Sequence, residues 1–138
     1  MLHGAVRMAS QNPEIAEALA FFRAKKCAYA SPMDVARALG EGSTAIHVVD
    51  VRNPVAPIPT IIKGAVWIPE REIACRLDEL PRDRTIVLVC SDVWCSLATS
   101  AAIPLLENGF VAKELNGGIK AWQTLHLPEV SLNAVRRP

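Results

Sequence analysis

Two short segments of the chain, Ala45-Ile-His-Val-Val-Asp-Val51 and Thr85-Ile-Val-Leu-Val89, are nearly continuous runs of β-branched and aliphatic residues. A strand with one face in water alternates polar and apolar residues. An unbroken apolar run is how a strand of a parallel sheet reads when both of its faces are covered. Such a sheet needs helices on both sides and crossovers between its strands, so an α/β fold is expected.

Suitable partners lie between and around the two runs. Asn12-Pro13 is an N-cap and first-turn signal, and Ile15, Leu19 and Phe22 then recur at helical spacing, which predicts a helix over 13–26. Its acids, Glu14 and Glu17, come early and its bases, Arg23, Lys25 and Lys26, come late, as the helix dipole favours. Ser31-Pro32 opens a second, short helix that runs through Val35 and Leu39 to a stop at Gly40. Further helices are expected over 70–80, with Ile73, Leu77 and Leu80 on one face, over 96–108 with a stop at Gly109, and over 119–125. Shorter strands fit 27–30, 65–68 and 111–115. Pro104 falls inside the 96–108 helix, where it removes a hydrogen bond and costs about 3 kcal/mol unless the helix kinks. Residues 53–59 hold three prolines and form an extended loop.

The 138 residues carry 15 Lys and Arg against 14 Asp and Glu, a formal charge of +1. One domain is expected, over 13–130, with tails at 1–12 and 131–138; a fold of this size buries roughly two thirds of the unfolded chain's surface and needs no staples. Near-neutral charge removes the footprint of a nucleic-acid or polybasic membrane binder. No apolar run approaches the ~20 residues of a membrane span. The stretch 15–22 contains Glu17 and precedes its basic cluster, the reverse of an export signal, so a cytoplasmic location is expected.

In a parallel sheet, ligands bind beyond the carboxyl ends of the strands. After Val51 comes Arg52; after Val89 comes Cys90-Ser-Asp-Val-Trp-Cys95-Ser96; after Leu115 comes Asn116-Gly-Gly118. Cys90 ends a buried strand shortly before a helix, so the intervening loop must curl with its backbone N–H groups near the helix N-terminus. Such a nest attracts anions and favours a thiolate. The plain alternative is a small buried side chain at a strand end, and position alone does not separate the two.

Rival chemistries fit less well. A cysteine phosphatase needs an arginine about six residues after its cysteine to clamp the oxyanion, and that position is Ser96. Zinc needs four converging ligands; only Cys90 and Cys95 are close, and His3, His47 and His126 form no pair, so no metal is expected. His47 lies within a buried strand and reads as a core residue rather than a base. Gly40-Glu-Gly42 stands between helix and strand, the wrong side for a dinucleotide fingerprint, so no cofactor is expected either. A thiol-disulfide oxidoreductase built on Cys90 and Cys95 stays open.

Asp50-Val-Arg52, Lys63-Gly-Ala-Val-Trp-Ile-Pro69, the Cys90 loop with its Ala-rich helix ending Leu-Leu-Glu-Asn-Gly-Phe110, and Glu114-Leu-Asn-Gly-Gly-Ile-Lys-Ala-Trp122 together resemble the rhodanese-like domain family, in order and spacing, from about Ser31 to Pro128. The Cys-x4-Cys loop, after an N-terminal helix ending Phe22-Arg-Ala-Lys-Lys-Cys27, is similar to a subgroup of single-domain members and extends the likeness to about Pro13. Ile61 stands where a histidine is common, and Cys95 replaces the arginine of many such loops. The resemblance implies a rhodanese-like open parallel five-stranded sheet in an α/β/α sandwich. It also implies a sulfurtransferase in which Cys90 carries sulfane sulfur as a persulfide, taken from a small donor such as thiosulfate or a persulfide. The acceptor would be a thiol, a cyanide-like nucleophile or a protein.

Backbone N–H groups of Ser91, Asp92, Val93, Trp94, Cys95 and Ser96 are expected to cradle that sulfur. Asp92, with no cation in the loop, is expected to make thiosulfate a poor donor. Cys95 is either a resolving thiol for Cys90 or a small packing residue. Trp94 is either a partner anchor, a lid over the sulfur, or packing on the next helix. Arg52 is expected to pair with a carboxylate at the strand end rather than touch substrate, and Asp50 and Arg52 are expected to stand behind the residues that do. The alternative to the enzyme is a non-catalytic or redox-sensing interaction module of the same fold.

Overall fold

The computed structural model describes residues 11–54, 58 and 60–135. The run at Thr85 forms strand β5 (Thr85–Val89) at the centre of a five-stranded parallel sheet, beside β2 (Ile46–Asp50) from the other run. Outside these lie β6 (Ala112–Leu115) and β1 (Tyr29–Ala30) on one side and β4 (Val66–Trp67) on the other, giving the order β1-β6-β5-β2-β4. β2 and β5 pair along their whole length, from Ile46 opposite Thr85 to Asp50 opposite Val89.

Successive residues of β5 enter opposite cores. Ile86 and Leu88 join Val49, Ile73 and Leu105 on one face, while Val87 and Val89 join Val48, Ile62 and Trp122 on the other. This two-sided burial is why the runs lack alternation. Helices α1 (Pro13–Ala28), α2 (Pro32–Gly40), α3 (Leu97–Glu107) and α4 (Gly118–Thr124) surround the sheet. Asn12 caps α1 as its sequence predicts, its side-chain oxygen accepting from the N–H groups of Glu14 and Ile15. The stop at Gly109 has φ 83°, a conformation that glycine adopts without strain.

The structure corrects several expectations. Helix α1 runs two residues past 26, leaving the strand expected over 27–30 only Tyr29–Ala30. Residues 70–80 form two 3-10 turns, Glu70–Cys75 and Leu77–Glu79, rather than one α-helix. The break is at Arg76 (φ −126°), whose guanidinium reaches both Glu79 oxygens at 2.6 and 2.8 Å, and tight turns still place Ile73 and Leu80 in the core. A small antiparallel pair, β3 (Thr60–Ile62) with β7 (Glu129–Ser131), was not foreseen. It buries Ile61 and Ile62 fully, so Ile61 is a core residue. The boundary expected at 130 falls inside β7, and Leu132 of the short α5 (Leu132–Val135) is itself buried. Helix α3 runs through Pro104, one turn before its end, and Asn108 donates from both its backbone N–H and its side-chain amide to the Pro104 carbonyl. Residues 1–10 of the expected N-terminal tail, 136–138 of the C-terminal tail, and 55–57 and 59 of the proline loop lie outside the described residues. Among the described residues no helix is long and apolar enough to cross a membrane.

Candidate active site

Cys90 follows the last residue of β5 and is almost wholly buried. Its carbonyl accepts the Ile119 N–H at 2.8 Å, and the Ser91 carbonyl accepts the Lys120 N–H at 3.0 Å. The first turn of α4 thereby holds the start of the cysteine loop. Gly118 makes that contact feasible: its φ is +61°, and a Cβ there would stand 2.5 Å from the Cys90 carbonyl oxygen and 2.9 Å from the Asp92 nitrogen. Gly118 is therefore a backbone requirement of the loop it touches, whereas a Cβ at Gly117 would stand 2.6 Å from Ala121 Cβ of α4 itself.

Within the loop, Asp92 organises the chain. Its carboxylate accepts the Trp94 N–H at 2.9 Å and its carbonyl accepts the Cys95 N–H at 3.3 Å. Two of the amides counted in the expected cradle, those of Trp94 and Cys95, are thus engaged by Asp92. The same turn brings Cys95 back to Cys90: their Cα atoms are 6.2 Å apart and their sulfurs are joined in a disulfide. That separation lies inside the range a disulfide accepts. Cys27 and Cys75 are free and exposed. Trp94 is 89% exposed, so it does not pack on the following helix.

A cavity of about 410 Å³ opens over the cysteine pair. The loop supplies Cys90, Asp92, Val93, Trp94, Cys95 and Ser96; α3 supplies Thr99, whose hydroxyl donates to the Glu114 carboxylate; the β6–α4 turn supplies Asn116, Gly117 and Gly118. The remaining wall was not legible in the sequence. Lys25, near the end of α1, and Tyr29 of β1 reach the same cavity, because β1 lies next to β6 at the sheet edge. The loop itself has no cation, but the cavity has one. The only early signal was the basic end of α1.

Asp50 and Arg52 are not part of this cavity. Asp50 is fully buried at the end of β2, where its carboxylate accepts from Arg52 Nε at 3.0 and 3.1 Å, from an Arg52 terminal nitrogen at 2.7 Å and from the Arg52 backbone N–H at 3.1 Å. The guanidinium also donates to the Thr60 carbonyl at 2.7 Å, and Trp67 Nε1 donates to the Arg52 carbonyl at 2.8 Å. The pair ties β2, β3 and β4 together behind the cysteine loop. His47 is half-buried on β2; burial first, and the charge of Arg84 second, hold its pKa below the usual 6.5.

Comparison with known proteins places this geometry in a family context. The rhodanese-like domain profile matches residues 31–125. A sulfurtransferase of Allochromatium vinosum is 32% identical over 87 residues, covering 62% of this chain and 79% of that protein. An HTH-type transcriptional regulator of Mycobacterium tuberculosis is 36% identical over 83 residues, 60% of this chain; the match spans only 37% of the regulator's length. A full-length Lactobacillus plantarum protein of known structure superposes with a TM-score of 0.77 at 30% identity, over 88% of this chain and all of the other.

Proposed function

The chain belongs to the rhodanese-like domain family, and from that premise we propose that it is a sulfurtransferase carrying sulfane sulfur on Cys90. The observation that supports this most is the position of Cys90, at the carboxyl end of the central strand and at the floor of a cavity walled by its own loop. With the cysteine pair reduced, the Cys90 thiolate attacks the outer sulfur of thiosulfate. The sulfur–sulfur bond of the donor breaks, sulfite leaves with its electron pair, and Cys90 holds a persulfide anion. A thiolate or cyanide-like acceptor then attacks the outer persulfide sulfur and regenerates the thiolate. This is two-step covalent catalysis in which the protein supplies the nucleophile. Backbone N–H groups of Ser91, Asp92, Val93 and Ser96 are the candidates for stabilising the anion. Lys25 offers the cavity a positive charge that favours anionic donors. The acceptor is a small thiol or a protein, and the reducing cytoplasm is the compartment this chemistry suits.

The intact mass of the reduced protein after incubation with thiosulfate or a small persulfide tests the reading. A gain of one sulfur, lost in Cys90→Ser and kept in Cys27→Ser and Cys75→Ser, supports it. No gain from either donor, or a gain that survives Cys90→Ser, overturns it.

The disulfide supports a second reading, a redox-sensing module. The Cys95 thiol would attack the inner sulfur of the Cys90 persulfide, form the Cys90–Cys95 disulfide and release hydrosulfide, so that the sulfane sulfur is reduced while the cysteine pair is oxidised. The likeness to part of a transcriptional regulator is compatible with that role. Peptide mapping after mild peroxide discriminates: a Cys90–Cys95 crosslink supports it, whereas sulfinic acid on Cys90 beside a reduced Cys95 ends it.

A further inference from the structure

Helix α1 has sixteen residues and none of them is buried. Ile15, Leu19 and Phe22 recur at i, i+4 and i+7 along one side and are 46%, 45% and 63% exposed; Phe21, 62% exposed, turns its ring edge-on to Phe22 with centroids 5.4 Å apart. The helix meets the rest of the domain at β1 and β6 and leaves this apolar ridge uncovered. Helices in water owe most of their stability to packing of an apolar face, and this one has a face without a core beneath it.

We propose that α1 is the interface of a homodimer, in which the ridge of one copy packs antiparallel against the ridge of a second. The pattern is self-complementary. Ile15 and Phe22 are equidistant from the point between Ala18 and Leu19, so a two-fold axis there sets Ile15 of each copy opposite Phe22 of the other, with the Ala18 and Leu19 pairs between them. The same axis lays the acidic first turn over residues 21–24 of the other copy, next to its basic last turn. At roughly 100° per residue, Glu14 and Lys25 fall on the same flank of the ridge, and in a two-fold antiparallel pair like flanks meet. Glu14 of one copy is level with Arg23 of the other, and Lys25 of that other copy, on the same flank as Glu14 and two residues (about 3 Å) further along the axis, is within reach of its carboxylate, twice. A parallel pairing would set like charges together. A helix of this length is about 24 Å long, which places the buried area at the low end for a specific interface and makes the dimer concentration-dependent. Lys25 also walls the cavity over Cys90, so the seam ends at the mouth of the site.

Sedimentation equilibrium of the full chain across a dilution series tests this, with sulfur loading playing no part in the readout. The expected result is a molecular weight that rises from one chain towards two. Phe22→Glu should remain a monomer with unchanged circular dichroism. Glu14→Lys and Lys25→Glu should each weaken self-association at low salt, and an equimolar mixture of these two variants should recover it, because the mixed pair restores both opposite-charge contacts. A wild-type protein that stays monomeric at its highest soluble concentration overturns the proposal, whether the ridge is then covered by residues 1–10 or by a lipid surface. Binding of that monomer to vesicles of mixed zwitterionic and anionic phospholipid would identify the latter. A dimer that survives Phe22→Glu, or a charge-reversed mixture that does not recover, overturns it equally.

Discussion

Gly118 lies directly against the backbone of Cys90, with no room between them for a single methyl group. Cys90 and the β6–α4 turn are distant in sequence, yet the Ile119 N–H donates to the Cys90 carbonyl and the glycine permits the approach. Gly118→Ala would have to move the Cys90–Asp92 backbone and would also place a side chain at φ +61°. The expected outcome is a loss of about 1–3 kcal/mol in stability and, because a displacement of about 1 Å at a reacting atom costs about 100-fold, a slower sulfur loading of that order. Urea denaturation and the rate of mass gain on thiosulfate check the two parts. A variant that loads at the wild-type rate would show that the turn does not position Cys90.

The Asp50–Arg52 pair makes a different prediction, because it is buried and lies outside the cavity. Removing one partner leaves the other charge unpaired in the interior. Arg52→Ala is therefore expected to cost about 3–5 kcal/mol, whereas the folded fraction should load sulfur at a near-normal rate. Asp50→Asn should cost less than Arg52→Ala because it keeps hydrogen-bonding oxygen at the site. Denaturation midpoints combined with loading per folded molecule would test this. A variant that is stable but inactive would assign Arg52 to substrate after all.

These two relationships show what the sequence made legible and what it did not. The two-sided burial of Thr85–Val89 could be read because so short an unbroken apolar run is too brief for a helix and lacks the polar face of a half-exposed strand. That Arg52 pairs with a carboxylate could be read from its place at a strand end, and the structure identifies that carboxylate as Asp50. The β3–β7 pair could not, since three residues are too few to show a period and the partner strands are far apart in the chain. The 3-10 turns over 70–79 share their apolar spacing with an α-helix, and only the local geometry at Arg76 separates the two. Lys25 entered the cavity wall through sheet order: β1 lies beside β6 rather than beside β2, its neighbour in sequence, and no local pattern encodes that choice.

Lys25 and Asp92 wall the same cavity with opposite charges, which sets the response to a dianionic donor. A unit charge at a wet cavity wall is worth about 0.5–1 kcal/mol, or about 2- to 5-fold in KM. Lys25→Gln is expected to raise the KM for thiosulfate by that factor and to leave the KM for a neutral disulfane donor unchanged, and Asp92→Arg should lower the thiosulfate KM. Both effects should shrink as salt is added. Steady-state kinetics at two ionic strengths would check this. An unchanged KM in both variants would mean that neither charge faces the donor.

His47 gives the fold a titration whose sign is fixed. Burial in β2 disfavours the imidazolium, and Arg84 adds like-charge repulsion, so the native pKa lies below the ordinary value of 6.5 that the unfolded chain retains. The unfolded state therefore binds the proton more tightly than the native state. The stabilising effect of a neutral His47 is complete above 6.5 and is lost progressively as the pH falls from 6.5 through the lowered native pKa. Unfolding midpoints are thus expected to be flat from about pH 8 to about pH 7 and to decline on further acidification. His47→Gln, which cannot titrate, should flatten that decline, and Arg84→Gln should make it shallower by removing the repulsive partner. Chemical denaturation of the three proteins across this range is the check. An identical slope in His47→Gln would place the acid sensitivity on the carboxylates instead.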